Sequence, residues 1–289
     1  MPIETLKNYN FQKDGFKCLP LSSHQDINKI EIDFYNRILL QAYKLRIIKN
    51  ANFIEFPNKI NLNLLIKLVI AINKKNKRSL DFVTSELRES PSIYNLVNEN
   101  FVDNFSKVLN CPKSLLKIHF DGILINLPSN KSRLYKFHSE KHYYPFRKNF
   151  VNFWMPMFFD KNIKNGTMVV KDKSHVKNYS FNEYSGFDKK EKFDPNQKHF
   201  FHQFEVPTNE VKEFKNFYMK IKKNIGVIFH SNLVHASTIN QTKKPSFALV
   251  ARVYDYRKDM TLSDVTGIKP YSKNSADSGF PDLRAFTKK

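Results

Sequence analysis

The stretch Leu134–Met157, LYKFHSEKHYYPFRKNFVNFWMPM, decides how the rest of the chain is interpreted. Its second half continues into Phe150–Phe158 (FVNFWMPMF), whose aromatic and apolar residues are typical of a strand. Its first half contains His138 and Glu140, which are separated by one residue. Side chains two positions apart in an extended strand point to the same face. The sequence therefore predicts that His138 and Glu140 share one face of a strand.

A second histidine, far downstream, completes a candidate metal-binding set. His235 lies in GVIFHSNLVHAS, an apolar run that also resembles a strand. Two histidines and one carboxylate that leave coordination positions open form the facial triad of non-haem Fe(II) oxygenases. An H-x-E pair alone also occurs by chance on ordinary strand surfaces. The working hypothesis is a metal site made of His138, Glu140 and His235.

Length and composition allow a substantial folded core. The 289 residues can form one large domain or two small ones, and 27 Phe and 13 Tyr supply ample apolar surface. Only 7 glycines are present, which argues against Gly-rich phosphate-binding loops. The two cysteines, Cys18 and Cys111, indicate no disulfide framework and favour a reducing compartment.

The expected location is the cytoplasm. The N-terminal sequence MPIETLKNYNFQKDG lacks the apolar segment of a secretory signal. The longest apolar run, Leu62–Ile72, is too short to span a bilayer and contains Lys67. We therefore predict no membrane span.

The formal net charge of +21 has two open interpretations. One is a codon bias toward Lys, Asn and Ile combined with a solvated surface, because the lysines are spread along the chain. The other is an anionic small-molecule substrate. No helix-turn-helix, zinc-finger or RNP-type signature is present, so we do not expect a nucleic-acid partner.

The apolar pattern changes its period near residue 112. Before that point, spacings of three and four residues predict amphipathic or buried helices over His24–Lys49, Leu62–Asn76, Leu80–Glu89 and Ile93–Leu109. After it, and at GFKCLPL near the N-terminus, alternating or continuous apolar runs predict strands at residues 115–128, 166–171, 225–235 and 246–254. RLYKFHSEKHYYP is predicted to be a strand as well.

We predict one domain over residues 1–289, because helices can cover one face of a β-sandwich. Residues 1–111 would be largely helical support, and residues 112–255 would form the β core. Residues 178–224 mix charges and phenylalanines with little period, and we predict a lid-like insertion that is either functional or mobile. Residues 256–289 would be a C-terminal extension.

Four motifs resemble one known family in their order and spacing: FHSEKHYYP, FVNFWMPM, NGTMVVKDKSH and GVIFHSNLVHASTIN. They are similar to the phytanoyl-CoA dioxygenase-like family of Fe(II)/2-oxoglutarate oxygenases, over about half of the chain. The resemblance implies a mostly β fold with α, namely a double-stranded β-helix (a cupin-like jelly roll) buttressed by N-terminal helices. It also implies Fe(II) and 2-oxoglutarate as cofactors, O2 as co-reactant, and His138, Glu140 and His235 as metal ligands.

The chain departs from the family pattern at two positions. Glu140 stands where aspartate is commoner, and its longer side chain can still bind a metal. Ser246 stands eleven residues after the distal histidine, where the family usually has an arginine that binds the remote carboxylate of 2-oxoglutarate bidentately. Lys244 is the nearest cation in sequence and is our candidate substitute, with Ser246 as a hydrogen-bond donor.

Two further positions carry implied roles. Arg252 matches a second arginine of the family that faces the metal region, and we expect it to orient an anionic group of the co-substrate or substrate. Trp154 matches a position that lines the 2-oxoglutarate pocket, and it can equally be a core aromatic. His142 is predicted either to reach the substrate or to lie on the surface.

The sequence thus predicts a dioxygenase that hydroxylates a small, anionic metabolite of sugar- or nucleotide-linked, amino-acid or acyl type. Ser246 keeps open an iron oxygenase that does not use 2-oxoglutarate. A metal- or ligand-binding protein on a degenerate oxygenase scaffold is the alternative from another class. The sequence leaves the oligomeric state open.

Overall fold

The computed structural model describes residues 9–49, 58–130, 134–144, 147–185 and 202–258. The helices in these ranges are α1 (Phe11–Asp14), α2 (Gln25–Lys44), α3 (Leu62–Lys75), α4 (Arg78–Glu86), α5 (Pro91–Leu109), α6 (Glu140–Tyr143) and α7 (Thr208–Val211). None of them combines the length and apolar character that a membrane span requires.

The strands form three antiparallel sheets in the described residues. They are β1 (Phe16–Pro20), β2 (Leu116–Asn126), β3 (Phe150–Met157), β4 (Met168–Lys171), β5 (Asn182–Ser185), β6 (His202–Glu205), β7 (Asn216–Tyr218), β8 (Ile225–His230), β9 (His235–Ser237) and β10 (Ser246–Asp255). The five-stranded sheet has the order β1-β8-β3-β10-β2, and the three-stranded sheet has the order β7-β4-β9. Strands β5 and β6 pair separately.

The four long helices occur where the apolar spacing predicted them. Helix α3 begins after Asn61, whose side chain accepts a hydrogen bond from the Leu64 backbone N–H at 3.0 Å. Pro91 occupies the first turn of α5, where a missing N–H costs nothing. Asn110 ends that helix in the left-handed conformation. Local sequence therefore explains the start of α3 and both ends of α5.

The helices cover the outer face of the five-stranded sheet, as the jelly-roll prediction required. Alternate residues of β3 and β10, such as Phe153 and Leu249, pack with helical side chains in one hydrophobic cluster. The intervening residues, such as Trp154 and Ala248, face the three-stranded sheet in a second cluster. Strand β3 is buried on both faces, which explains why its sequence is apolar except at Asn152. The cluster shared by helices and sheet supports the single-domain prediction, which stays a prediction.

Two local predictions were wrong. The RLYKFHSEKHYYP strand is reduced to one β-bridge between His138 and His235, after which the chain turns into α6. Residues 225–235 form two strands, β8 and β9, because the chain turns between them and joins different sheets. The predicted lid-like insertion at 178–224 stays a prediction, although its strand β7 belongs to the three-stranded sheet. Residues 186–201 of that insertion and 259–289 of the C-terminal extension lie outside the described residues.

Gly226 in β8 provides a first test of the packing. A Cβ atom at Gly226 would lie 2.4 Å from Phe153 Cε2 and 3.1 Å from Phe101 Cζ. The Phe153 ring is fully buried and packs 4.8 Å from the Phe101 ring, so it has no room to withdraw. We expect Gly226→Ala to lower the free energy of unfolding by about 1–3 kcal/mol, measured by urea denaturation. An unchanged unfolding midpoint would contradict this packing.

Candidate metal centre

Three predicted ligands converge at one end of the jelly-roll interior. The Nε2 atoms of His138 and His235 lie 3.6 Å and 3.5 Å from Oε1 of Glu140. The candidate ligand atoms all lie within 4.8 Å of one another, and the three residues are buried. Both N–O distances exceed the ordinary hydrogen-bond length, so the spacing leaves room for an ion between the atoms.

Backbone pairing places the two histidines side by side. His138 and His235 exchange two N–H···O bonds, each of 2.9 Å, and their ring centroids are 4.2 Å apart. Glu140 reaches the same point because the chain turns after the bridge and begins α6 with this residue. The three predicted residues therefore come together, although not on the regular strand from which they were inferred, and their role as metal ligands stays a prediction.

The second nitrogen of each ring fixes its tautomer. Nδ1 of His138 lies 2.6 Å from the Lys136 carbonyl oxygen, and Nδ1 of His235 lies 2.9 Å from that of Leu233. A carbonyl oxygen can only accept a hydrogen bond, so Nδ1 carries the proton in each neutral ring. The Nε2 lone pairs are therefore directed toward Glu140, in the arrangement that suits metal binding.

The protonation states also suit a divalent cation. Burial alone would raise the pKa of Glu140, but the adjacent His138 and His235 rings lower it to about 2. Burial and then the nearby His138 lower the pKa of His235, against the opposite effect of Glu140. Near neutral pH the site thus presents an ionised carboxylate and a neutral His235, which is the state that binds a metal.

Arg252 lies directly behind the carboxylate of Glu140. Its guanidinium pairs with Oε2 of Glu140 and with Oδ2 of Asp121. The Tyr144 ring lies 4.3 Å from its Cζ atom, and the Tyr144 hydroxyl donates to Asp121 at 3.2 Å. Arg252 was predicted to orient an anionic group of the co-substrate or substrate. Here it contacts two carboxylates of the protein, and it leaves Oε1 of Glu140 directed at the histidines.

Asp121 reaches Arg252 because of a β-bulge. In the pairing of β2 with β10, Gly122 opposes Val250 and Phe120 opposes Ala251, so Asp121 is the extra residue. Gly122 adopts φ +136°, a conformation that side chains rarely permit. Bulges re-aim side chains, and this one brings a carboxylate to the guanidinium. Sequence reasoning missed Asp121, although an Asp-Gly pair inside a predicted strand was an available signal.

Ser246 stands where the family usually has an arginine, and its side chain is hydrogen-bonded to other residues of the protein. The Ser246 hydroxyl donates to the Asn165 carbonyl and accepts a 2.7 Å hydrogen bond from Nζ of Lys161. The hydroxyl proton of Ser246 is used in the bond to Asn165. Ser246 therefore does not donate to 2-oxoglutarate, contrary to its predicted role. Lys244, the predicted substitute cation, is exposed. Lys161 was missed because no motif in the sequence relates it to Ser246, 85 residues away.

The interior beside the triad contains polar and aromatic groups. Trp154 packs in the cluster between the sheets. This position fits both a residue that lines the 2-oxoglutarate pocket and a core aromatic. Asn152 pairs with Arg252 across β3 and β10 and is 1% exposed. Within the described residues, neither polar atom of its amide has a hydrogen-bond partner. Buried polar groups are nearly always paired, so Asn152 indicates a site for a water or ligand.

Part of the insertion lies beside α6. Nε2 of His142 lies 3.1 Å from the Tyr179 carbonyl oxygen, and the Phe181 ring lies 4.5 Å from the His142 ring. Phe204 of β6 packs 4.7 Å from the Tyr143 ring. These contacts place aromatic side chains of the insertion next to the helix that carries Glu140. Its function as a lid stays a prediction.

A jelly roll with two histidines and a carboxylate at one end of its interior defines the class of non-haem iron oxygenase scaffolds. The family model for phytanoyl-CoA dioxygenase (PhyH) matches residues 70–247, more than half of the chain. The chain belongs to this family, as its motifs predicted. The predicted cofactors, Fe(II) and 2-oxoglutarate, are those of the family, and the described residues contain a group suited to the metal.

Solved structures similar to this chain are distant from it in sequence. EctD from S. alaskensis, solved with 2-oxoglutarate and 5-hydroxyectoine, has a TM-score of 0.52 at 12% identity, over 90% of this chain and 78% of its own. The apo form of EctD has a TM-score of 0.52 at 13% identity, over 90% and 79%. EvdO2 from Micromonospora carbonacea var. aurantiaca, complexed with 2-oxoglutarate, has a TM-score of 0.48 at 14% identity, over 88% and 91%. A search of curated proteins gives no match.

Proposed function

We propose that this protein is an Fe(II)/2-oxoglutarate-dependent dioxygenase that hydroxylates a small metabolite. The observation that carries the proposal is the convergence of His138 Nε2, His235 Nε2 and Glu140 Oε1 within 4.8 Å in a buried site. These three atoms would hold the metal. A facial triad leaves coordination positions for a co-substrate and O2.

The protein's own residues prepare the ligands. The Lys136 and Leu233 carbonyls hold the two imidazoles in the tautomer whose Nε2 can bind a cation. Arg252 holds one oxygen of Glu140 and leaves the other for the metal. When bound, Fe(II) and 2-oxoglutarate supply the oxidising chemistry, which converts 2-oxoglutarate, O2 and a substrate C–H group into succinate, CO2 and a C–OH group.

The interior also contains a hydrogen-bonding group that a co-substrate could contact, the amide of Asn152. The unpaired Asn152 amide faces the same space as Trp154, beside Arg252. A buried amide offers both donors and an acceptor, and a polar ligand there would satisfy it. This feature supports a bound polar co-substrate near the metal.

The substrate we propose is a small, anionic metabolite of sugar- or nucleotide-linked, amino-acid or acyl type. The net charge of +21 supports an anionic ligand, because a basic surface attracts anions to the site. Phe181 and His142 form an aromatic surface next to α6 that a ligand could contact. Fold does not determine the substrate within this family.

An anaerobic Fe(II) titration with and without 2-oxoglutarate tests the proposal. We expect stoichiometric iron binding and a visible charge-transfer band that requires both components. Succinate release under air should then depend on iron. The apoprotein with 2-oxoglutarate and no iron is the control.

Two results would overturn parts of the proposal. Iron binding without the band would favour an iron oxygenase that does not use 2-oxoglutarate, an alternative supported by Ser246 in place of arginine. Absence of iron binding would favour a binding protein on a degenerate oxygenase scaffold.

A further inference from the structure

Lys161 is a buried lysine without a carboxylate partner among the described residues. Its side chain is 2% exposed, and Nζ donates to the Gly166 carbonyl at 2.9 Å and to Ser246 Oγ at 2.7 Å. No carboxylate of the described residues lies within ion-pair distance of it. An ammonium has three N–H donors. Two of those donors are used, so one is available to a ligand.

The surroundings of Lys161 favour the arrival of an anion. Burial lowers the pKa of Lys161 to about 7, with no charged neighbour contributing to the shift. An ammonium removed from water without a partner is costly, and a bound carboxylate would offset that cost. Among the described residues, the hydroxyl that contacts Lys161 is that of Ser246, and it cannot donate to a ligand because its proton goes to the Asn165 carbonyl. Lys161 is thus the charged donor at this point of the interior.

Lys161 and the triad are connected through strands that line the same interior. Ser246 lies on the same face of β10 as Arg252, the residue behind Glu140. Gly166, which accepts from Lys161, precedes Val170 by four residues, about 13 Å of extended chain. Val170 is the partner of His235 across β4 and β9. The ammonium and the metal ligands therefore lie at two levels of the same jelly-roll interior.

We infer that Lys161 binds the remote carboxylate of 2-oxoglutarate, in place of the arginine that the family carries at the position of Ser246. The inference rests on the proposed function. A lysine acts as a compact point charge, whereas the planar fork of arginine binds both carboxylate oxygens. Lys161 therefore compensates for the charge lost at Ser246 but not for the bidentate geometry. The competing interpretation is that Lys161 only ties the turn at Gly166 to β10.

The test compares two ligands on the iron-loaded protein under anaerobic conditions, by calorimetry and by the visible band. 2-Oxopentanoate has the same carbon chain and the same 2-oxo acid end as 2-oxoglutarate, but it lacks the remote carboxylate. We expect the wild-type protein to bind 2-oxoglutarate about 10- to 100-fold more tightly than 2-oxopentanoate, as a charge-assisted hydrogen bond provides. In Lys161→Met that ratio should fall to near one, with 2-oxopentanoate and iron affinity unchanged.

Further variants separate charge from structure. Lys161→Gln keeps a polar donor without the charge and should lose the same discrimination, which covers the case in which Lys161→Met does not fold. Adding Ser246→Arg to Lys161→Met should restore the preference for 2-oxoglutarate over 2-oxopentanoate. Lys164→Met, which removes an exposed cation three residues from Lys161, is the matched control and should bind like the wild type.

The outcomes distinguish this inference from the proposed function. Retained discrimination in the folded Lys161 variants would overturn the inference alone, as would a wild-type protein that binds both 2-oxo acids equally. A wild-type protein that binds iron but neither 2-oxo acid would overturn the inference together with the 2-oxoglutarate part of the proposed function. Iron affinity measured in parallel shows whether the triad itself remains intact.

Discussion

Fe(II) binding is expected to be lost when either His138 or His235 is replaced by alanine. Each substitution removes one of three ligand atoms and leaves only one nitrogen beside Glu140. The fold should persist, because the bridge between these residues is made by backbone N–H and C=O groups that alanine retains. The measurement is the iron content of anaerobically loaded protein, with circular dichroism and thermal melting as the check on folding.

His142→Ala is a matched control for this experiment. His142 lies two residues beyond Glu140 on α6, but its Nε2 contacts the Tyr179 carbonyl rather than the triad. We expect its iron content to equal that of the wild type. Unchanged iron content in His138→Ala or His235→Ala would remove these residues from the metal site and the proposed function with them.

The second large effect is expected at Arg252, as a loss of stability. Arg252→Met leaves the carboxylates of Glu140 and Asp121 without the cation that lies between them. Removing one member of a buried ion-pair network typically costs about 3–5 kcal/mol. We expect a loss of this size in the free energy of unfolding of the apoprotein, measured by urea denaturation. Added Fe(II) should recover part of it, because the ion can neutralise Glu140.

Two comparisons identify the cause of that loss. Arg37→Met removes a half-buried pair with Asp33 and Glu86 on the helical layer and should cost less than about 1 kcal/mol. Adding Asp121→Asn to Arg252→Met removes one uncompensated charge and should return part of the stability. If the double variant is no more stable than Arg252→Met, packing rather than charge accounts for the effect.

Much of the architecture could be predicted because its signals are local. The helices at residues 25–44, 62–75, 78–86 and 91–109 follow from apolar spacing and from residues such as Pro91 at their ends. The candidate metal ligands follow from the pattern of histidine, carboxylate and histidine, which the fold brings together. Predictions that depended on regular strand parity were less accurate. Glu140 lies on a helix, and no local rule showed where the strand would stop.

The amino-acid order alone thus determines the family and the layer of helices over a jelly roll. It also identifies His138, Glu140 and His235 as the candidate metal ligands. The groups behind those ligands depend on contacts between distant segments. Asp121 reaches Arg252 because a bulge shifts the register of β2 against β10. Lys161 reaches Ser246 across 85 residues because both are buried where β3 and β10 approach the turn at Gly166. Register and burial arise from the packing of whole sheets, so no short stretch of sequence contains them.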